Sequence, residues 1–454
     1  MFNKFKVLSL TACAVFLLQS CLSGDGALFH VPSENAPNLV NDISVNGYAT
    51  LRGGSAQLDG LFQLAGTVSG TVDSDLCSVK THKMLYDTID SVGGTTKSSG
   101  VVMVPYGDNA ACSGSRPVVL YAHGTNADSN YDLSQLAASP ANPAAGEAGL
   151  LLAFYASKGY VVVAPNYAGY ANVESGLSYH PYIDEKQQST EMMDALNHVR
   201  TYASDIGASL SSKLFISGLS QGGYVAMATH KALEAEGETV TASAPISGPY
   251  SVGEFLDEVM GGNFNDGIST FAPMYLTALQ KASNIYSNPN EVYATSPIDY
   301  SLIAESALPG KGATGATSVG LPDDDNILSL FSTNFMSDYN AAVTGTTTEN
   351  ASFNVWKLAH EADLQDWSPK APLVMCGANT DPVVYHSNST RMATYWSALV
   401  NVGLVVNVDL DAVPAGDFAP IQGAWQQAAP AAAAVHGTTG VYCAAAALVT
   451  FNKL

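Results

Sequence analysis

The chain has 454 residues, of which 47% are apolar and only 13% are charged, so it can build a large core and is not an intrinsically disordered protein. Its 40 acidic and 18 basic side chains give a formal net charge of −22. That charge excludes nucleic-acid binding through a basic face and binding to anionic lipid through a polybasic segment.

Residues 1–20 are predicted to be a lipoprotein signal peptide. Lys4 and Lys6 precede an apolar run, residues 7–18, that is too short to span a bilayer comfortably. The run ends in Leu18-Gln19-Ser20-Cys21, which resembles the lipobox of bacterial lipoproteins. That resemblance implies cleavage before Cys21, diacylation of its sulfur and attachment to an outer membrane; the alternative is plain secretion. No later run is expected to be long and apolar enough for a transmembrane helix.

Residues 21–45 are rich in Ser, Asn, Asp, Gly and Pro and are predicted to be a flexible spacer, whereas residues 46–76 show no clear pattern. From residue 79 onward, apolar strand patterns alternate with helical ones. This alternation predicts an α/β fold with a mostly parallel sheet flanked by helices. The predicted strands cover residues 79–90, 96–105, 118–122, 159–164, 213–217, 239–246, 372–376 and 403–410, and the predicted helices 148–158, 187–203, 223–233 and 442–451.

The alternation stops between residues 250 and 366. That stretch contains helical segments, Gly-rich loops and the run Asp323-Asp324-Asp325. We interpret it as a cap inserted between two parts of the core, residues 46–249 and 367–454. The aspartate run is interpreted as a solvated loop in preference to a calcium site, and we expect neither a metal nor a cofactor.

The pentapeptide Gly218-Leu219-Ser220-Gln221-Gly222 stands between a predicted strand and a predicted helix. A serine on such a sharp turn holds its hydroxyl clear of the sheet, and the glycines Gly218 and Gly222 permit the turn. The context therefore predicts that Ser220 is a catalytic nucleophile.

A serine nucleophile needs a base and an acid, which follow it in the order Asp or Glu, then His. Asp381 lies in the loop after a predicted strand and is the predicted acid, with Asp409 and Asp411 as alternatives. His436 lies in a predicted loop before the last helix and is the predicted base. His386 follows Asp381 too closely for that role.

Two backbone amides should form the oxyanion hole. One belongs to Gln221, directly after the nucleophile. The other is predicted at Thr125, in the loop after the strand that ends at Ala122. His123, in the same loop, is interpreted as a residue that stabilises the turn.

Together, the segments 121–125, 164–170 and 218–223 and the loops of Asp381 and His436 resemble the α/β-hydrolase superfamily. Within it, residues 79–454 resemble secreted microbial lipases and esterases of the lipase A-like (secretory lipase) type, which carry a large helical cap. The resemblance implies a serine carboxylic-ester hydrolase that acts on a lipid or other small-molecule ester. Separately, we expect a monomer that is held at the membrane only by its N-terminal lipid. Two alternatives remain: a serine peptidase of the prolyl-oligopeptidase type, and a non-catalytic surface lipoprotein.

Cys77, Cys112, Cys376 and Cys443 remain after removal of the signal peptide, and an oxidising compartment favours disulfides. The hairpin predicted between the first two cysteines favours the pair Cys77–Cys112. The remaining two cysteines either pair or stay buried as free thiols.

The predicted cap carries Phe271, Met274, Tyr275 and Leu279 on one side of a helix. This stripe either covers Ser220 and lines an acyl pocket or packs into the core of the cap.

Overall fold

The strands form one mixed sheet. The computed structural model describes residues 33, 35–126, 130–136, 142–170, 177, 179–294, 321–346 and 350–454, so the predicted lipobox cysteine Cys21 lies outside the described residues. Within them the strands are Asn38–Ile43 (β1), Ser78–Ile89 (β2), Thr95–Tyr106 (β3), Arg116–Ala122 (β4), Val161–Pro165 (β5), Leu210–Leu219 (β6), Ala242–Ile246 (β7), Leu373–Gly377 (β8) and Val405–Asp409 (β9).

The strand order is β1-β2-β3-β5-β4-β6-β7-β8-β9. Strands β1, β2 and β3 pair antiparallel, as do β3 and β5, and the pairs from β5 to β9 are parallel. Every residue of β5, β7 and β8 is buried, so both faces of the sheet are covered there. The predicted mostly parallel sheet flanked by helices is confirmed.

The helices lie between and around these strands. Their bounds are Gly47–Gly53 (α1), Ala56–Ser69 (α2), Ala145–Phe154 (α3), Glu185–Tyr202 (α4), Gln221–Ala235 (α5), Val252–Met260 (α6), Ile268–Ser283 (α7), Thr333–Val343 (α8), Ala351–Glu361 (α9), Ser387–Tyr395 (α10), Ser397–Asn401 (α11), Ala419–Ala428 (α12) and Val435–Phe451 (α13).

The N-terminal region is more ordered than the sequence predicted. The end of the predicted spacer, residues 38–43, is strand β1, which pairs with β2 at the edge of the sheet. Its side chains are mostly exposed, so backbone hydrogen bonds hold it and the hydrophobic pattern could not reveal it. The unassigned residues 46–76 form α1 and α2, and Ser55 caps α2 by accepting from the Leu58 amide at 3.2 Å.

Between β7 and β8, helices α6 to α9 form a cap with its own apolar cluster, in which Met260, Leu276 and Phe335 are buried. Asp324, which we interpreted as solvated, accepts the amides of Gly267 and Ser269 at 2.8 Å each, so it ties its own loop to the first turn of α7.

His360 on α9 links two parts of the cap. Its Nε2 lies 3.0 Å from Asp257 Oδ2 on α6, and its Nδ1 lies 3.7 Å from Asp363 Oδ2. Hydrogen bonds to Asp257 and then to Asp363 raise the pKa of His360 from 6.5 to about 9. The imidazolium therefore holds α6 and α9 together at neutral pH.

The last helix, α13, begins seven residues before the predicted start. By length and composition, the 20 helical residues 432–451 could cross a membrane. This corrects the expectation that no such run follows the signal peptide. However, half of that window is buried, and α13 packs against β7 and β8. We therefore interpret it as a core helix of the fold.

Candidate active site

Ser220 occupies a strained turn between β6 and α5. Its backbone angles are φ 61° and ψ −120°, a region that a residue with a side chain rarely adopts. An added Cβ would collide with the backbone oxygen of Gly222 at position 218, and with that of Ala122 at position 222. Both glycines are thus required by close backbone approach, and Ser220 stands at the N-terminus of α5, as predicted.

Asp381 and His436 form a hydrogen-bonded pair. The His436 Nδ1–H donates to Asp381 Oδ2 at 2.7 Å. The other carboxylate oxygen accepts the amides of Val383 and Val384 at 2.9 and 3.2 Å. The Asp381 side chain is fully buried, so these three donors stabilise it as an anion. Because Nδ1 holds the proton, His436 Nε2 is left with a lone pair that can accept one.

Helix α13 carries His436, the predicted base, and packs beside the turn that holds Ser220. His436 lies in the first turn of this helix, not in the predicted loop. One turn later, an added Cβ on Gly440 would lie 2.6 Å from the Leu219 side chain, so the helix packs against the residue before Ser220. A residue with a side chain at position 440 would prevent this close packing. The described hydrogen bonds include none between Ser220 and His436, and such bonds often form only when substrate is bound.

Asp409 and Asp411, the alternative candidates for the acid, form hydrogen bonds that hold the loop of Asp381. Asp409 accepts the Asn379 amide at 3.1 Å, and Asp411 accepts the amide and hydroxyl of Thr380 at 2.7 and 2.9 Å. Asp411 also accepts from Trp425 Nε1 at 2.7 Å. These two carboxylates therefore brace the loop that carries Asp381.

His386 is buried beside Gly377, whose added Cβ would lie 2.8 Å from the His386 ring. Burial lowers the pKa of His386, partly opposed by the nearby carboxylates of Asp409, Asp411 and Asp381. It is therefore a neutral packing residue next to the loop that carries Asp381, which we call the acid loop.

The two predicted oxyanion donors are both available. The Gln221 amide opens α5, and amides in a first helical turn have no intrahelical acceptor. In the other loop, the Gly124 amide donates to Glu147 Oε1 at 3.1 Å, while the Thr125 hydroxyl lies 3.1 Å from the Tyr182 hydroxyl. Neither the Gln221 nor the Thr125 amide has an acceptor among the hydrogen bonds of the described ranges.

Sequence reasoning missed Glu147. Besides the Gly124 amide, this carboxylate accepts from the hydroxyl groups of Tyr121, at 2.7 Å, and Tyr131. It therefore fixes the loop that presents Thr125. The signal in the sequence was a single acidic residue at the start of an otherwise apolar helix, α3.

Two buried histidines support the same region. The His123 ring stacks between Tyr131 and Tyr167, at centroid distances of 4.4 and 4.1 Å, as expected of a residue that stabilises the turn. Burial lowers the pKa of His180 to about 3, so the ring is neutral. Its Nδ1–H donates to a backbone oxygen, and its Nε2 accepts from Gln221 Nε2 at 2.5 Å, which fixes the Gln221 side chain.

An apolar cleft with a volume of about 70 Å³ opens at Ser220. The cleft lies between the turn of residues 218–222 (the elbow), helices α6 and α7 of the cap, and the acid loop. Within the described ranges, no charged side chain lines it. Of the predicted stripe, Phe271 and Tyr275 line this cleft, whereas Met274 is buried elsewhere and Leu279 lines a different one. Its lining residues are Tyr182, Ile183, Ser220, Gln221, Pro249, Val252, Phe255, Leu256, Val259, Asn265, Ile268, Phe271, Ala272, Tyr275, Val383 and Val384.

The cap is bonded directly to the acid loop. The Asp266 amide donates to Pro382 O at 2.9 Å, and Asn265 Nδ2 donates to Val383 O at 2.8 Å. The wall of the cleft and the loop of Asp381, the predicted acid, are therefore held in one network.

Comparison with known proteins supports this description. Residues 149–273 match the prolyl oligopeptidase family. No curated protein matches the chain. A ligand-bound structure of the rice cell wall degrading esterase LipA from Xanthomonas oryzae is similar over 91% of this chain and 97% of its own, with 24% identity and a TM-score of 0.70.

A mutant of that esterase is 26% identical, with a TM-score of 0.65 over 83% of this chain and 91% of its own. The closed state of Candida antarctica lipase A is 15% identical, with a TM-score of 0.52 over 82% and 86% of the two chains. The protein has the α/β-hydrolase fold. In that fold the nucleophile follows a central strand and the acid and base follow it in the chain, and the predicted triad of Ser220, Asp381 and His436 has this order.

Proposed function

We propose that the protein is a serine carboxylic-ester hydrolase. Ser220 Oγ attacks the ester carbonyl while His436 Nε2 takes its proton, and Asp381 stabilises the resulting imidazolium. The Gln221 and Thr125 amides stabilise the oxyanion, and each such donor contributes about 2.7–4 kcal/mol. His436 returns the proton to the leaving alcohol, and water then cleaves the acyl-enzyme by the same steps.

The observation that carries this proposal is the Asp381–His436 hydrogen bond next to a strained serine that faces an apolar, uncharged cleft. An apolar cleft suits an acyl chain, which has no polar groups to satisfy. The structural relatives are an esterase and a lipase, which supports the same substrate class. A non-catalytic role leaves the strain at Ser220, about 1–3 kcal/mol, without a reason.

The second candidate is a serine peptidase, which the family match at residues 149–273 favours. That segment contains β6, the elbow and α5, which ester and peptide hydrolysis would use equally. A peptide, however, brings amide groups that need hydrogen-bond partners, and the cleft is mainly apolar.

The experiment compares a series of nitrophenyl esters with a peptide panel. We expect ester turnover, labelling of Ser220 by a fluorophosphonate, and loss of at least 99% of turnover in Ser220→Ala. Ser212→Ala, at the exposed far end of the same strand, is the control and should retain turnover. Peptide cleavage without ester cleavage would favour the peptidase, and retained turnover in a folded Ser220→Ala variant would exclude this nucleophile.

We also propose that the enzyme is exported and anchored through a lipid on Cys21. The lipobox-like segment supports this, as do the disulfides Cys77–Cys112 and Cys376–Cys443, which belong to an oxidising compartment. Cys21→Ser should move the protein from the membrane fraction to the soluble one. An unchanged distribution, or an unmodified mature N-terminus by mass spectrometry, would contradict the anchor.

A further inference from the structure

A thin wall separates the Ser220 cleft from a second apolar cavity. Leu256 on α6, together with Ala272 and Tyr275 on α7, lines both spaces. The second cavity is small, with a volume of about 20 Å³, and lies inside the cap. Its remaining lining residues are all apolar: Met260, Leu276, Phe331, Phe335 and Val355.

Tyr275 is the largest side chain in this wall. It is 8% exposed, and its hydroxyl is buried without a hydrogen-bond partner among the described residues. The ring is therefore held by its shape and by its apolar neighbours. It also lines a third cleft, but that one contains Asp184, Glu185 and Lys186, which do not suit an alkyl chain.

We propose that the ring of Tyr275 is the end wall of the acyl site and sets the longest acyl chain that the enzyme accepts. This inference rests on the proposed ester hydrolysis. An acyl chain with its carbonyl at Ser220 runs between α6 and α7 and stops at this ring. Each methylene buried before the wall raises kcat/KM about fourfold, and a longer chain must displace the ring or stay in water.

The test measures kcat/KM for saturated nitrophenyl esters of increasing chain length. Tyr275→Ala joins the two apolar cavities, so its optimum should move to longer chains. Two additional buried methylenes should raise kcat/KM about fifteenfold over wild type for those esters. Tyr275→Phe is the matched control: it keeps the ring and removes only the unpaired hydroxyl, so its optimum should match that of wild type.

A second substitution tests the route of the chain. Val355 lines only the second cavity, so Val355→Phe in the Tyr275→Ala background should refill that space and restore the shorter optimum. If Tyr275→Ala does not fold, Leu256→Ala trims the same wall from α6 at a half-buried position.

The outcomes separate the two proposals. Ester turnover with the wild-type optimum in folded Tyr275→Ala or Leu256→Ala would overturn the end wall and leave the proposed function intact. If the wild-type protein cleaves no ester at all, both the proposed function and the proposed end wall are contradicted.

Discussion

Removal of the Cys376–Cys443 disulfide should reduce catalysis, whereas removal of Cys77–Cys112 should reduce only stability. Cys376 lies in β8, five residues before Asp381, and Cys443 lies in α13, seven residues after His436. The bond therefore joins β8, the strand that precedes the loop of the proposed acid Asp381, to α13, the helix that contains the proposed base His436. The Cys77–Cys112 bond joins the start of β2 to the segment after β3, away from these residues.

The two disulfides are well matched in their expected effect on stability. They join residues separated by 67 and 35 positions. Loop-closure entropy then gives contributions of about 4.4 and about 3.8 kcal/mol at 25 °C. If each disulfide is removed by replacing both of its cysteines with alanine, the two variants should lose similar stability. A difference in kcat between them would therefore report on the positions of Asp381 and His436.

The assay measures kcat on one nitrophenyl ester at a temperature where calorimetry shows both variants to be folded. A displacement of about 1 Å between catalytic groups costs up to about a hundredfold in rate. We therefore expect Cys376→Ala/Cys443→Ala to lose ten- to a hundredfold in kcat, and Cys77→Ala/Cys112→Ala to stay within about twofold of wild type. Equal loss in both, or no loss in either, would refute the positioning role.

Three further predictions concern the elbow, the acid and the cap. Gly222→Ala should abolish both folding and activity, because the added methyl group would collide with Ala122 O. Gly423→Ala is the control: its methyl group would meet open space, so the circular dichroism spectrum and the turnover should be unchanged. Asp381→Asn should lower kcat about 10,000-fold with a much smaller change in KM, and a loss below tenfold would indicate another acid. The pKa of His360 is raised from 6.5 to about 9, so its stabilising contribution is complete below pH 6.5 and is lost as the pH rises through 9. His360→Gln should therefore show a smaller fall in Tm between pH 6.5 and 9 than wild type, and parallel Tm curves would contradict this.

Much of the fold and of the candidate site could be predicted from the sequence, because the signals are local. Buried parallel strands are continuous apolar runs, and the elbow around Ser220 needs its two glycines within five residues. The positions of Ser220 and Asp381 then follow from the alternation of strands and helices, since each lies just beyond a strand, whereas His436 lies at the start of the last helix. The structure adds the hydrogen bond between the acid and the base.

Other features were decided only by the tertiary structure. Strand β1 is held by backbone pairing with β2, which leaves no hydrophobic pattern in its own residues. Glu147 matters because three donors, from β4 and from the segment between β4 and α3, converge on its carboxylate.

The cap helix illustrates the same limit. Phe271, Met274, Tyr275 and Leu279 share the spacing of one helix side, and periodicity cannot say what that side meets. Only the arrangement of α7 beside α6, the Ser220 turn and the loop of Asp381 puts Phe271 and Tyr275 in the cleft, Met274 in the core and Leu279 in another cleft. Helical periodicity depends on neighbours three and four positions apart, whereas the shape of this cleft depends on how segments from residue 182 to residue 384 come together, which a single sequence does not record.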